Sequence, residues 1–483
     1  MASWEFAFEI DRNGETSLAQ QIAHALTTEI QRGRLRPGDA LPGSRSLAAT
    51  LNVHRQTVVS ALEELIAEGW LVTRPASGTF VADALPEIAP SRRARKASRF
   101  ALPLLDAPHP ELPRNVPAGT ILMSGMRPDV RLLPADLLGR AYRRVQRLLG
   151  TQLLSYNHPA GHIRLRRELA SMLSATRGVA ADTGSILVTR GSQMGLALAA
   201  LALIRPGDAV AVEHPGYRPA WEAFRMAGAE VLPVAVDEDG IDLRALQQLL
   251  AKRAIRAVYV TPHHQMPTTA TLTGPRRLRL LQLATQHGFA IVEDDYDHEF
   301  HYSGRPVPPM ASLDKDGVVI YVGTFSKVLA PGLRVGFVVA PPDLIERMTA
   351  WRSFIDLQGD SVLECAIAEL LERGLIQRHV RKVRATYRHR LETLALLLRR
   401  QLGDFLTFDD PAGGTAIWVR TADARTMTRW ARASAERGVA FDEGSAFTLD
   451  GAAIAGARIG FASLNDSEAK QAVKRLASAA NAR

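Results

Sequence analysis

Apolar residues recur along the chain with two different periods, and the change from one to the other divides it. Between residues 17 and 32, Leu18, Ile22, Leu26 and Ile30 fall on one helical face, and Gly33 ends the run. Ser44 is placed to cap a short helix carrying Leu47 and Leu51. The turn Leu51-Asn52-Val53 follows, and Val58, Leu62, Leu65 and Ile66 form the stripe of a third helix that stops at Gly69. Leu71-Val72-Thr73 and Thr79-Phe80-Val81 read as two strands joined by residues 74–78. Beyond residue 117 the pattern becomes continuous short apolar runs, at 185–189, 208–212, 257–260, 290–293, 318–322 and 335–339, separated by helical stretches such as 194–204. Runs of that kind predict an α/β body with a mostly parallel sheet covered on both faces. Ligands of such sheets sit at the carboxyl ends of the strands. Between the two patterns, residues 85–117 hold seven prolines and the basic run Arg92-Arg93-Ala94-Arg95-Lys96. Proline at that density blocks helix and sheet and favours extended chain. The division is therefore a small module over 12–82, a linker over 83–117 and a body over 118–483.

Composition narrows the classes. Of 483 residues, 46% are hydrophobic and 23% charged, which is ordinary globular usage. One Cys excludes a disulfide framework and a Cys-rich zinc site, and no metal is expected. The longest apolar stretch, 195–204, is too short for a membrane span of roughly 20 residues. The start Met1-Ala2-Ser3-Trp4-Glu5 lacks the basic, then apolar, pattern of a signal peptide, so a cytoplasmic location is expected. The net charge of +9 suggests nucleic acid until it is located: residues 1–84 carry seven Arg against ten acids. DNA binding must therefore rest on where cations stand, not on their total. The basic run at 92–96 can contact phosphates or simply keep the linker solvated.

Three helices and a hairpin are the layout of a winged helix-turn-helix. Its third helix presents His54, Arg55, Gln56 and Thr57 at the end that meets base edges, and Arg45 opens the preceding helix within reach of phosphate. The same layout also suits any small helical domain with exposed polar residues. The wording of the segment decides more: residues 33–45 (GRLRPGDALPGSR), 52–58 (NVHRQTV), 68–71 (EGWL) and 77–81 (SGTFV) resemble GntR-type winged-helix regulators. The resemblance implies DNA contacts by Arg45, His54, Arg55 and Thr57, with the wing tip at Gly78 in the minor groove.

In the body, Lys327 lies in Gly323-Thr324-Phe325-Ser326-Lys327 between two apolar strands, where desolvation would lower its pKa and make it nucleophilic toward an aldehyde. Arg334, seven residues on, can neutralise a phosphate. Spacing alone fits equally a surface Lys and a surface Arg. Arg190-Gly191-Ser192-Gln193 joins a strand to a helix and offers free N–H groups to an anion. Glu293-Asp294-Asp295-Tyr296 ends another strand; a carboxylate there can hold a pyridine nitrogen protonated, while a metal site or a solvated loop are the alternatives. Tyr217 offers an aromatic face, or packs in the core. In this order the segments resemble the fold-type I pyridoxal-phosphate (PLP) aminotransferases from about residue 120 onward. The resemblance implies that Lys327 bonds covalently to PLP as an internal aldimine. It pairs Asp294 with the pyridine nitrogen and Tyr296 with the ring hydroxyl, and stacks Tyr217 on the ring. It gives the phosphate to Ser192, Gln193, Ser326 and Arg334, and a substrate carboxylate to Arg458. Tyr156 matches a residue that reaches the partner subunit's site.

A winged helix, a long linker and this fold together resemble the MocR/GabR-type regulators. The segment Thr261-Pro262-His263-His264-Gln265-Met266-Pro267-Thr268 is similar to that group; aminotransferases usually have Asn-Pro-Thr-Gly there, their Asn bonding the ring hydroxyl, and this chain offers Gln265 nearby. The resemblance implies a homodimeric regulator that binds double-stranded operator DNA and senses PLP, or an amine or amino acid that condenses with it. The alternative is an active aminotransferase with an accessory DNA-binding domain.

Overall fold

The computed structural model describes residues 10–12, 16–75, 77–86, 117–304 and 306–481. Two compact units divide the chain, Met1–Ala107 and Pro108–Arg483, each with its own core. The basic run at 92–96, and the expected linker apart from residues 83–86 and 117, lie outside the described residues.

In the first unit, α1 (Leu18–Gln31), α2 (Ser44–Leu51) and α3 (Arg55–Ala67) precede a hairpin of β1 (Leu71–Arg74) and β2 (Gly78–Val81), paired antiparallel with Leu71 opposite Val81. This is the winged helix-turn-helix. Ile22, Leu26 and Ile30 pack with Leu47, Leu51, Val58, Leu62 and Leu65, and Trp70 and Val81 close the core. Each such aliphatic side chain contributes roughly 1.5–3 kcal/mol on burial, which is how so small a unit holds together. Arg74 braces the wing, stacked 4.7 Å over the Phe80 ring and 3.1 Å from Asp83. One expectation is corrected. Ser44 does not cap α2: Gly43 stands at the cap without a side-chain bond, and the Ser44 hydroxyl, already helical, accepts from Arg55 Nε at 3.3 Å.

The second unit opens with β3 (Ile121–Met123). Eight strands then form the large sheet: β4 (Ile186–Thr189), β5 (Ala209–His214), β6 (Glu230–Asp237), β7 (Gly240–Ile241), β8 (Ile255–Val260), β9 (Ala290–Asp295), β10 (Val319–Thr324) and β11 (Gly336–Val339). Their spatial order is β4-β11-β10-β9-β8-β5-β6-β7. The run from β10 to β6 is parallel, and β11 is antiparallel to both neighbours. The strands at the centre are buried along almost their whole length, which is why they read as unbroken apolar runs. Strand β6 escaped the sequence reading because Glu230, Pro233 and Asp237 interrupt its apolar residues; the edge strand β7 pairs only with Val236 and Asp237, so most of β6 borders the sheet, where such a composition is tolerated. A second sheet, ordered β12 (Ala416–Arg420), β14 (Gly456–Gly460), β13 (Val439–Glu443) and then β3, packs on the long helix Leu375–Leu402. Among the described residues no helix is long and apolar enough to cross a membrane.

Candidate functional site

On the winged unit the polar residues named above gather at the amino-terminal end of α3. His54 is the N-cap: its Nδ1 accepts from the Gln56 N–H at 3.2 Å, which leaves Nε2 for an outside partner. Arg55, exposed beside it, is tied to Ser44, so α2 and α3 present Arg45 and Arg55 from the same end of the helix pair. Thr57 is half-buried in the first turn of α3. Gly78 stands in the hairpin opposite Arg74 with φ +113°, a conformation that glycine adopts without strain.

On the large unit, the carboxyl ends of β4, β5, β8, β9 and β10 surround a cavity of about 280 Å³, where parallel strands are expected to place a ligand. Its reactive group is Lys327, three residues past β10, 7% exposed, whose Nζ donates to the Met126 carbonyl. Burial brings the ammonium pKa down to about 8. Across the cavity stands Asp294 on β9. Its Oδ2 accepts from the Tyr259 hydroxyl at 2.8 Å, and its Oδ1, equally buried, has no hydrogen-bond partner among the described residues. Burial pushes this carboxyl up to about 7, with Tyr259 pulling in the other direction.

One end of the cavity suits an anion. Gly191, with φ +77°, turns the chain from β4 into the helix Ser192–Leu203, whose first N–H groups have no intrahelical acceptor. Arg334, itself in the left-handed region at φ +51°, lays its guanidinium against that turn and donates to the Arg190 carbonyl at 3.0 Å. A Cβ on Gly191 would stand 2.5 Å from Arg334 Nη2, so only glycine admits the guanidinium here. Ser326 lines the same end, its hydroxyl accepting from Thr324 at 3.0 Å. Gln193 lines it too, although its amide is engaged with the Pro219 carbonyl at 2.7 Å. Tyr217, just past β5, forms another part of the wall.

Two of the expected site residues are not brought to the wall. Gln265 is 1% exposed and folds into its own loop, donating to the carbonyls of Pro215 (2.9 Å) and Met266 (2.6 Å) and accepting from Thr268. Met266 forms the wall in its place. The physical reason is local: the loop needs an amide to satisfy its own backbone, and Gln265 supplies it. Arg458, fully buried on β14, lies behind Tyr296. It donates to the Pro267 carbonyl at 3.0 Å and to the Tyr296 hydroxyl at 3.3 Å, and its Nε has no partner among the described residues. Tyr296 lines the cavity, its hydroxyl donating to the His264 carbonyl at 2.7 Å. Sequence reasoning missed Met126 and Tyr259. Met126 is 201 residues from the lysine it meets, with no local signal. Tyr259 sits on the parallel neighbour of β9, and its role follows only from that register.

Residues 133–476 match the aminotransferase class I and II family, and residues 18–81 match the bacterial regulatory proteins of the gntR family. The probable rhizopine catabolism regulatory protein MocR of Rhizobium meliloti is 33% identical over 474 residues, covering 97% of this chain and 95% of that protein. This chain belongs to the MocR-type transcriptional regulators. The MocR-type pairing of modules also extends along the pyridoxine biosynthesis regulator PdxR of Corynebacterium glutamicum, 31% identical over 89% of this chain and 92% of that one. Among solved structures, the α-aminoadipate aminotransferase LysN of Thermus thermophilus, complexed with N-(5'-phosphopyridoxyl)-L-leucine, matches with a TM-score of 0.70 and 30% identity, over 75% of this chain and 92% of that chain. MocR-type membership thus joins a DNA-binding unit to an aminotransferase fold in a regulator.

Proposed function

We propose that the large unit binds pyridoxal 5'-phosphate at Lys327 and that occupancy of this cavity by an amino compound controls how the winged unit engages a double-stranded operator. The observation that carries this reading is the juxtaposition of an amine near neutrality and a buried carboxylate oxygen without a partner, in one cavity that ends at a helix N-terminus. Those residues fit the cofactor's three functional ends. When bound, PLP supplies an aldehyde that condenses with amines and a ring that withdraws electrons. Lys327, with its pKa near 8, keeps a neutral, nucleophilic fraction at physiological pH. Asp294 Oδ1 is placed to accept from a protonated pyridine nitrogen while Tyr259 fixes the other oxygen. Arg334, Ser326 and the N–H groups of Ser192 and Gln193 form the phosphate cup. Tyr217 offers its ring for stacking and Tyr296 a hydroxyl beside the same wall.

An effector carboxylate reaches Arg458 by displacing the Tyr296 hydroxyl from its long 3.3 Å contact, which couples effector binding to movement of the wall. That coupling regulates only if the effector binds two conformations with different affinity. We also infer a homodimer. Leu154, Tyr156, Trp351, Phe354, Ile355 and Leu357 are exposed apolar residues on two segments that the bond from the Asn157 N–H to the Gln358 side chain holds together. Exposed apolar residues gathered on two joined segments suit an interface, and two winged units on a dimer match a two-half-site operator.

The test is spectroscopic. The full-length protein incubated with PLP is expected to acquire visible absorbance, and borohydride is expected to fix a pyridoxyl group on Lys327; Lys327→Ala is expected to lose both. Unchanged absorbance in that variant overturns the assignment. Sustained conversion of an amino acid to its keto acid would instead favour the active aminotransferase.

A further inference from the structure

On the far side of β9 from the cofactor cavity, a second group of side chains meets. Asp294 faces the cavity; Asp295, the next residue on the strand, faces the opposite way, as alternate strand residues do. It meets His263 from the loop after β8 and His298 from the turn after β9. His263 Nδ1 is 3.3 Å from Asp295 Oδ1, and His298 Nδ1 is 2.9 Å from Asp295 Oδ2. One potential ligand atom from each of the three lies within 4.8 Å of the others. The two imidazoles stand 4.7 Å apart at 76°. Asp295 and His263 are 2% and 5% exposed.

The hydrogen bonds of this cluster do not close. His263 Nε2 is 2.9 Å from the Val307 carbonyl oxygen. That oxygen only accepts, so Nε2 carries a proton and Nδ1 of the neutral ring is a lone pair. Nδ1 lies 3.3 Å from Asp295 Oδ1, another acceptor; both atoms are buried, and neither has a hydrogen-bond partner among the described residues. Two acceptors held together in a dry site require a cation between them, a second proton or a metal ion. The separation itself favours a metal: two ligands of a tetrahedral ion with bonds of roughly 2.0–2.1 Å stand about 3.3 Å apart.

We propose that His263, Asp295 and His298 form a site for a divalent transition metal of the zinc type. Two imidazoles and one carboxylate select such an ion over magnesium or calcium, which take oxygen ligands. Around the cluster Arg177 pairs with Glu299, and Arg277 lies 4.0 Å from Glu293. His298, with 12% of its side chain exposed, gives the ion a way in. Binding there frees the proton that His298 now shares with Asp295. The ion joins the loop after β8, which carries Thr261 and Met266 of the cavity wall, to the end of β9, which carries Asp294 and Tyr296. It is a clamp on two walls of the cavity from behind. The site stands whether or not the cavity takes PLP.

The test is metal content. Full-length protein is stripped with a chelator, supplied with zinc chloride and passed over a desalting column, and zinc per chain is then measured with and without bound PLP. The wild type is expected to retain one equivalent and to melt at a higher temperature with zinc than without. His298→Ala and His263→Ala are each expected to lose the equivalent and the thermal shift, while His301→Ala keeps both. No retained zinc in the wild type overturns the site, as does equal retention in the two cluster variants. If His263→Ala fails to fold, the partly exposed His298→Ala decides alone.

Discussion

At the scale of single residues, the cavity is defined by two groups that burial displaces in opposite directions, Lys327 downward to about 8 and Asp294 upward to about 7. Both displacements are unfavourable to the cofactor-free fold near neutral pH, since each opposes the charged form. For Asp294 the sign is specific. Below pH 4 the carboxyl is neutral folded and unfolded, and it costs nothing. Between about 4 and 7 the unfolded chain loses the proton while the folded one keeps it, so stability falls as pH rises. Above 7 the cost is complete, at roughly 1.4 kcal/mol per unit of displacement. Asp294→Asn, which can still accept from Tyr259, is therefore expected to raise the melting temperature of the cofactor-free protein at pH 8, to lose most of that gain at pH 5, and to bind PLP more weakly. Thermal unfolding at both pH values checks it; an equal gain at both would contradict a titrating Asp294. The same scale shows where sequence fell short. Lys327, Asp294, Arg334 and Tyr217 stand in motifs whose order along the chain made them legible. Gln265 was named on its nearness in sequence to the ring site, and the backbone needs of its own loop claim its amide instead.

At the scale of elements, the start of α3 is expected to combine a structural and a recognition role in its cap, His54, and its first residue, Arg55. His54 caps the helix through Nδ1, and replacing a cap by alanine costs about 1 kcal/mol. His54→Ala is expected to lower both the stability of the winged unit and its operator affinity; His54→Asn restores the cap and the stability without restoring the contact. Arg55→Ala is expected to leave the melting temperature nearly unchanged and to cost about 1–3 kcal/mol of discrimination at one base pair. Chemical unfolding and binding to a panel of operator variants separate these effects, and parallel losses of stability and affinity in all three variants would count against the division. The elements themselves were legible wherever burial was uniform: the central strands are continuous apolar runs, and α1 and α3 show their stripes. Strand β6 and the cap of α2 were not, because β6, covered by β7 only at Val236 and Asp237, mixes polar with apolar residues and because Ser44 serves the next helix instead of its own.

At the scale of the whole molecule, the account requires two chains and a signal between units. The exposed apolar set at residues 154–156 and 351–357 is expected to be the dimer contact, so Phe354→Asp, at a residue 89% exposed, should shift the protein toward monomer in sedimentation with little loss of fold. A variant as dimeric as the wild type would move the interface elsewhere. The proposed signal is less legible in the sequence than the fold, since it rests on contacts such as Arg458 with Tyr296 that join residues 162 positions apart. The most direct measurement is operator affinity, by fluorescence anisotropy on DNA from the promoter beside the protein's own gene, titrated with PLP and with candidate amines for the wild type and Lys327→Ala. The predicted result is a wild-type Kd that changes severalfold with occupancy of the cavity and a variant Kd that does not. A wild-type affinity indifferent to every ligand that occupies the cavity would contradict the account.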